Sequence, residues 1–186
     1  MPAASAIRIF LSHDWGKDNA NHQRVKKLVP RLKQRGLNVW FDDSHMKGDI
    51  DEAMCKGIDE CPVFIAFLTP AYMAKVNSSD PNDNVRKEFH YAKNRGKSML
   101  GVRFSPDMPT KTCEWAGPLG ARLGGQLYVD LAYDPISDTE IAKLVTNVYS
   151  TAAPKLHDAP DKFRMYKQPM RVVCCTGGTR GTDHAK

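Results

Sequence analysis

With 186 residues, 41% of them hydrophobic and 26% charged, the chain has the size and balance of one globular domain that can bury its own core, which excludes the disordered class. The formal net charge is +6, but residues 151–186 carry seven Lys/Arg against three Asp/Glu, a local +4, which leaves +2 for residues 1–150. That remainder lacks the interleaved basic and aromatic residues that clamp a nucleic acid strand, so nucleic acid is not an expected partner.

In chain order, Met1-Pro-Ala-Ala-Ser5 has no basic, apolar, small-residue leader pattern, and Ile7–Ser12 reads as a short buried strand opening into the polar pair His13-Asp14. From Asn21 to Arg35, Val25, Leu28 and Leu32 recur at helical spacing before Gly36, with Pro30 expected to kink or shorten that helix. Leu37–Phe41 forms a second strand, the polar loop 42–49 follows, and Ile50, Met54 and Ile58 mark a short amphipathic helix. Val63–Leu68 is uninterruptedly apolar, the signature of a parallel strand covered on both faces, and is far too short to cross a bilayer. Neither secretion nor membrane insertion is expected.

Thr69-Pro70 ends that strand. After a polar loop around Asn77–Asn84, a helix is expected over Val85–Arg95, a strand over Ser98–Phe104, and a loose Pro/Gly-rich stretch over Ser105–Gly125. Gln126–Leu131 supplies a fifth strand, and Ile136–Tyr149 a last helix with Ile141, Leu144, Val145 and Val148 on one face. Alternation of strand and helix with short connections predicts a three-layer, flavodoxin-like doubly wound α/β domain: a mainly parallel five-stranded sheet with helices on both faces, over residues 1–150. Residues 151–186, with Pro154, Pro160, Pro169 and clustered basic residues, read as a mobile or loosely docked tail. Its Cys174-Cys175 pair has no assigned role. Five cysteines without Cys-x-x-Cys spacing argue against a disulfide framework and against a zinc site, so no metal is expected and the setting is expected to be reducing and cytoplasmic.

Ligands of such sheets bind beyond the carboxyl ends of the strands. The loops there are Ser12–Asp18, 42–49 and the segment after Leu68, and none contains Gly-x-Gly-x-x-Gly or Gly-x-x-x-x-Gly-Lys-Ser/Thr, which excludes a P-loop NTPase. Leu68-Thr69-Pro70 offers no carboxylate where a phosphate-accepting receiver domain needs one. The tail's Arg171–Gly181 has a glycine turn superficially like a dinucleotide fingerprint, but the chain stops before the helix that would hold a pyrophosphate.

Ile9-Phe-Leu-Ser-His-Asp-Trp-Gly-Lys-Asp18, Leu37-Asn-Val-Trp-Phe-Asp42, Gly48-Asp-Ile-Asp-Glu-Ala-Met-Cys-Lys-Gly-Ile58, Val63-Phe-Ile-Ala-Phe-Leu-Thr-Pro70 and Val85-Arg-Lys-Glu-Phe-His-Tyr-Ala92 follow one another at a characteristic spacing. In that order they resemble the Toll/interleukin-1 receptor (TIR) domain family across residues 7–131. The resemblance implies one of two functions. Many such domains are signalling modules that associate with other TIR domains, here through the loop 42–49, as homo-oligomers when active. Others cleave NAD at the nicotinamide–ribose bond, using an acid at the start of the helix after that loop; NAD is then a substrate, and no cofactor is implied.

Breaking that bond develops oxocarbenium character, which a fixed carboxylate stabilises. The matching acids are Asp51 and Glu52, and because one helical position turns a side chain by about 100°, the two are not expected to face the cleft equally. Both also suit the positive end of the helix dipole. Phe10, Ser12, His13 and Trp15 would line the same cleft, Trp40 could stack on a base or pack in the core, and Lys47 could meet a phosphate or solvent. Glu88 is expected to pair with a neighbouring Lys or Arg. One departure stands out: some bacterial members carry a Glu four residues after the Trp of the second strand, where this chain has Ser44. A nucleoside-processing α/β enzyme of related layout, releasing a free base from nucleosides, is a third reading.

Overall fold

The computed structural model describes residues 6–41 and 50–156. Five strands, β1 (Ile7–His13), β2 (Leu37–Trp40), β3 (Val63–Leu68), β4 (Ser98–Arg103) and β5 (Val129–Asp130), form one sheet in the order β2-β1-β3-β4-β5, and every neighbouring pair is parallel. Six helices connect them: α1 (Ala20–Gln34), α2 (Ile50–Glu60), α3 (Pro70–Asn77), α4 (Asn84–Asn94), α5 (Gly117–Leu123) and α6 (Asp138–Leu156). The fold is therefore the flavodoxin-like, doubly wound α/β arrangement expected from the alternation.

Alternate residues of each strand feed two cores, because successive side chains of a strand point to opposite faces. Ile9, Leu11, Val63, Ile65, Phe67, Leu100 and Val102 join Val25, Leu28 and Leu32 of α1 and Ile141, Leu144 and Val148 of α6. Phe10, Phe64, Ala66, Leu68 and Met99 join Met54 and Ile58 of α2, Tyr72 and Val76 of α3, Val85 and Phe89 of α4, and Leu119 and Leu123 of α5. All six side chains of β3 are buried, as an uninterrupted apolar strand requires.

Four local features depart from expectation. Pro30 lies inside a continuous α1; it is exposed, and on the solvent side water can take over the carbonyl that a proline leaves without its helical partner. The segment after Thr69 is helical because Thr69 caps it, its hydroxyl accepting the Tyr72 N–H at 2.9 Å, and Pro70 suits the first turn. A further short helix, α5, interrupts the stretch expected to be loose, with Leu119 and Leu123 turned into the core. Lastly, β5 is only two residues long and α6 continues past Tyr149 to Leu156, where Ala152 and Ala153 favour helix and Ala152 is buried. The tail from 157 onward, including Cys174 and Cys175, and the loop 42–49 lie outside the described residues.

The strand order reverses direction between β1 and β3: the chain moves from β1 to β2 on one side, then crosses back to β3 on the other. Loops leaving the carboxyl ends of those two strands consequently diverge, and a crevice opens between them.

Candidate functional site

β1 delivers two polar side chains to opposite faces at its carboxyl end. Ser12 follows Phe10 onto the α4 face, where its hydroxyl donates to Glu88 Oε2 at 2.6 Å and lies 2.9 Å from the Tyr72 hydroxyl. Ser12 and Tyr72 have no exposed surface, and Glu88 is partly exposed. Burial pushes the Tyr72 hydroxyl's pKa well up, so it is held protonated.

His13 turns to the other face, with Nε2 3.0 Å from Nδ1 of His22 on α1. Its ring stacks on Phe41 with centroids 5.5 Å apart, His22 lies 5.0 Å from the same ring, and Trp15 stacks on His22 at 4.6 Å. Burial first, and then the neighbouring His22, lower the His13 pKa from 6.5 to about 4, so His13 is neutral at pH 7.

The loop after β1 is held tightly. Asp14 is buried, accepting from the Thr69 hydroxyl and, at 2.9 Å, from Asn21 Nδ2, which ties the ends of β1 and β3 to the start of α1. Gly16, at φ 72°, passes so close to Asn21 that a Cβ there would come within 2.9 Å of its side chain. Asp18 (φ 51°) and Asn19 (φ 62°) follow in the same left-handed region, which non-glycine residues seldom occupy. Such concentrated strain is found mostly at functional sites.

The acids of α2 reach the same end of the sheet. Both oxygens of Asp51 lie 3.0 Å from Nζ of Lys87, the neighbour of Glu88 on α4, while the Asp51 side chain stays 55% exposed. Glu52, one position on, is also exposed. The structure thus brings Ser12, Asp14, Tyr72, Glu88, Thr69 and the Asp51–Lys87 pair to the carboxyl ends of β1 and β3, while Trp15, 44% exposed, stacks on His22.

Three of the expected residues lie elsewhere: His13, on the α1 face as described, Phe10 and Trp40. Phe10 has no exposed surface and forms the middle of a stack, its ring 4.3 Å from Trp40 and 5.4 Å from Phe64, its partners across β2 and β3. An apolar ring at a central strand position gains more from that ladder than from a cleft wall. Trp40 rests between Phe10 and Gly57 of α2, where an added Cβ would come within 2.5 Å of the indole. It lines a hollow of about 400 Å³ at the β2 edge together with Arg8, Asn38, Lys56 and Glu60. Lys47 lies outside the described residues.

Sequence reasoning missed Glu88, Tyr72 and Asn21 as members of the site. For Glu88 a signal existed: Val85, Phe89 and Ala92 define the buried stripe of α4, and position 88 lies on that stripe, so its carboxylate points inward toward β1. Among the described residues no group of His, Cys, Asp and Glu could hold a metal ion, and no helix is long and apolar enough to cross a membrane.

A parallel, doubly wound sheet with its polar constellation at the switch point defines a flavodoxin-like α/β domain of the kind used for signalling and for nucleotide chemistry. The family model described as TIR domain matches residues 9–145, and the chain belongs to the TIR domain family. A crystal structure of a prokaryotic SEFIR domain shares the fold with a TM-score of 0.60 at 14% identity, covering 90% of this chain and 100% of that one. The Clostridium botulinum CMP N-glycosidase BcmB is more distantly similar, with a TM-score of 0.45 and 19% identity over 75% of this chain and 98% of its own. No curated protein matches the chain.

Proposed function

We propose that this TIR domain hydrolyses NAD at the nicotinamide–ribose bond, in the crevice between the β1 loop and the start of α2. The observation that carries the reading is the convergence of carboxylates, Asp51 through Lys87 and Glu88 through Ser12, on the carboxyl ends of β1 and β3. Carboxylates in that position can hold the ribose hydroxyls and stabilise the positive charge that develops as nicotinamide leaves. Trp15, partly exposed in the loop after β1 and stacked on His22, offers a face on which a ring could stack. Asp51 and Glu52 both open α2 at this crevice, and Asp51 is held by Lys87.

The test is release of nicotinamide from NAD by concentrated purified protein. Glu52→Ala or Asp51→Ala is expected to lower the rate by about 100-fold, an effect typical of removing one group that stabilises a transition state. Equal, full activity of both variants would sink the assignment of the α2 acids.

A second reading is a non-enzymatic module that pairs with other TIR domains through the loop 42–49. It is favoured by β2, an edge strand hydrogen-bonded within the described residues to β1 alone and leading directly into that loop. No nicotinamide release at any concentration, together with concentration-dependent self-association, would establish that reading instead.

A further inference from the structure

His13 and His22 form a pair with one proton between them. Nε2 of His13 lies 3.0 Å from Nδ1 of His22, and both residues are almost wholly buried, 6% and 4% exposed. When both rings are neutral, one of the facing nitrogens donates an N–H and the other accepts it. A first added proton leaves that bond in place. A second puts a hydrogen on each facing nitrogen, and the bond becomes a contact between two cations.

The pair holds more than itself. Phe41 packs against both rings, with centroids 5.5 Å from His13 and 5.0 Å from His22, and Trp15 stacks on His22 at 4.6 Å. The main-chain carbonyl of Trp15 also accepts from the N–H groups of Asn21 and His22, at 3.1 and 3.3 Å. The end of β1, the loop after it, the first turn of α1 and the residue that follows β2 thus meet in one aromatic cluster. Trp15 belongs to the β1 loop, and Phe41 leads into residues 42–49, which run to the acids of α2. The cluster therefore ties together the two chain segments that border the proposed crevice.

The surroundings supply little to offset two positive charges. Burial and the neighbouring His22 hold His13 neutral down to about pH 4, against 6.5 for the free side chain; Asp14 and the Leu11 carbonyl favour its protonation, and Lys75 of α3 opposes it. Both Asp14 oxygens are already engaged, one by the Thr69 hydroxyl and one by Asn21 Nδ2. Phe41 and Trp15 present ring faces, which attract a single cation but carry no charge to balance a pair. A doubly protonated pair is accommodated by parting the rings and admitting water.

We propose that the His13–His22 pair is an acid-operated latch: when both rings are protonated they part, Trp15 and Phe41 come free, and the β1 loop and the chain entering residues 42–49 loosen together while the sheet stays folded. Once parted, the histidines regain ordinary basicity, so the open form binds more protons than the closed one and acid drives the opening. The latch is closed above about pH 6.5 and opens as the pH falls toward 4. It answers to protons and not to NAD, and so holds under either reading of the domain.

The experiment is hydrogen–deuterium exchange of the full chain at pH 7 and pH 4.5, read by mass spectrometry and corrected for the intrinsic exchange rate at each pH. In the wild type, peptides covering Asp14–His22 and Val39–Phe41 are expected to lose protection by about 10-fold or more at the lower pH, while Val63–Leu68 of β3 stays protected. His13→Gln and His22→Gln each leave at most one charge on the pair, and both peptides are expected to exchange alike at the two pH values in either variant. Unchanged protection of both peptides in the wild type at pH 4.5 would overturn the latch. Loss that extends to β3 at the same pH would overturn it too, by showing that the whole domain unfolds, and so would a variant that loosens with acid as the wild type does. The wild-type comparison decides the matter by itself where a variant does not fold.

Discussion

Phe10→Ala is expected to lower the free energy of unfolding by about 3–5 kcal/mol, the cost of truncating a buried aromatic side chain in a well-packed core. Phe10 is completely buried between the rings of Trp40 and Phe64, in register with both across adjacent parallel strands. Truncation leaves a void that β2, β1 and β3 cannot close together, since each strand is fixed by its ladder. Denaturant unfolding monitored by fluorescence and circular dichroism reads the effect as a shift of midpoint. Phe10→Leu, which refills most of the void, is expected to recover much of the loss. Had Phe10 lined a ligand crevice, Phe10→Leu would keep stability and lose binding, and that outcome would contradict its placement in the core.

Acid is expected to destabilise the fold through His13. Its pKa is about 4 in the folded protein against 6.5 for the free side chain, chiefly because burial penalises the cation, then because His22 faces it. The unfolded chain therefore binds more protons than the native one between those two values. Stability is fully present above about pH 6.5 and falls as the pH drops toward 4, at up to about 1.4 kcal/mol per pH unit and by about 3 kcal/mol in all. Denaturant titrations at pH 7 and pH 4.5 should show this loss in the wild type and a much flatter response in His13→Gln, which cannot acquire a proton there. Asp59, Asp138 and Glu140, whose carboxyls are held below their usual range by Arg95, Arg31 and Ser137, lose the stabilisation of their ionised forms at low pH in both proteins alike. The difference between the two proteins, not the absolute curve, is the measurement; equal slopes would remove His13 as the source.

The architecture was legible because its signals are local and repeated. β3 announced itself as Val63–Leu68 by being apolar throughout, and α1, α4 and α6 by their apolar spacing; these fix a parallel sheet once strand and helix are seen to alternate. α3 was less visible because its start depends on a threonine cap followed by proline, a pattern that reads equally as a strand end. α5 begins at a glycine of φ 63° and contains another glycine, residues that score against helix until packing of Leu119 and Leu123 overrides them.

The site was legible only as an address. Sequence led to the carboxyl end of β1 and to the acids of α2, but which carboxylate turns inward is decided by side-chain direction across elements far apart in the chain. Ser12 and Glu88 are separated by 76 positions and Ser12 and Tyr72 by 60, and no periodicity encodes such a meeting. Lys87 and Asp51 pair across 36 positions for the same reason. Phe10 and Ser12, two residues apart on one strand face, illustrate the limit well: the same alternation that predicts a shared face says nothing of how far along the strand the core ends.

The indole of Trp40 against the bare backbone at Gly57 gives α2 its distance from the sheet edge. One flat ring acts there as a shim, and the helix it supports carries Asp51 and Glu52 at its other end, six and five residues upstream. Because a helix is stiff over so few turns, a thicker residue at position 57 would tilt the whole rod, and a small lift at the shim becomes a displacement of the acids. Alignment of the α2 carboxylates with Lys87 and the β1 loop is thus tuned by an aromatic contact that touches none of them, and drift at position 57 would change what the far end can reach without altering a single polar residue.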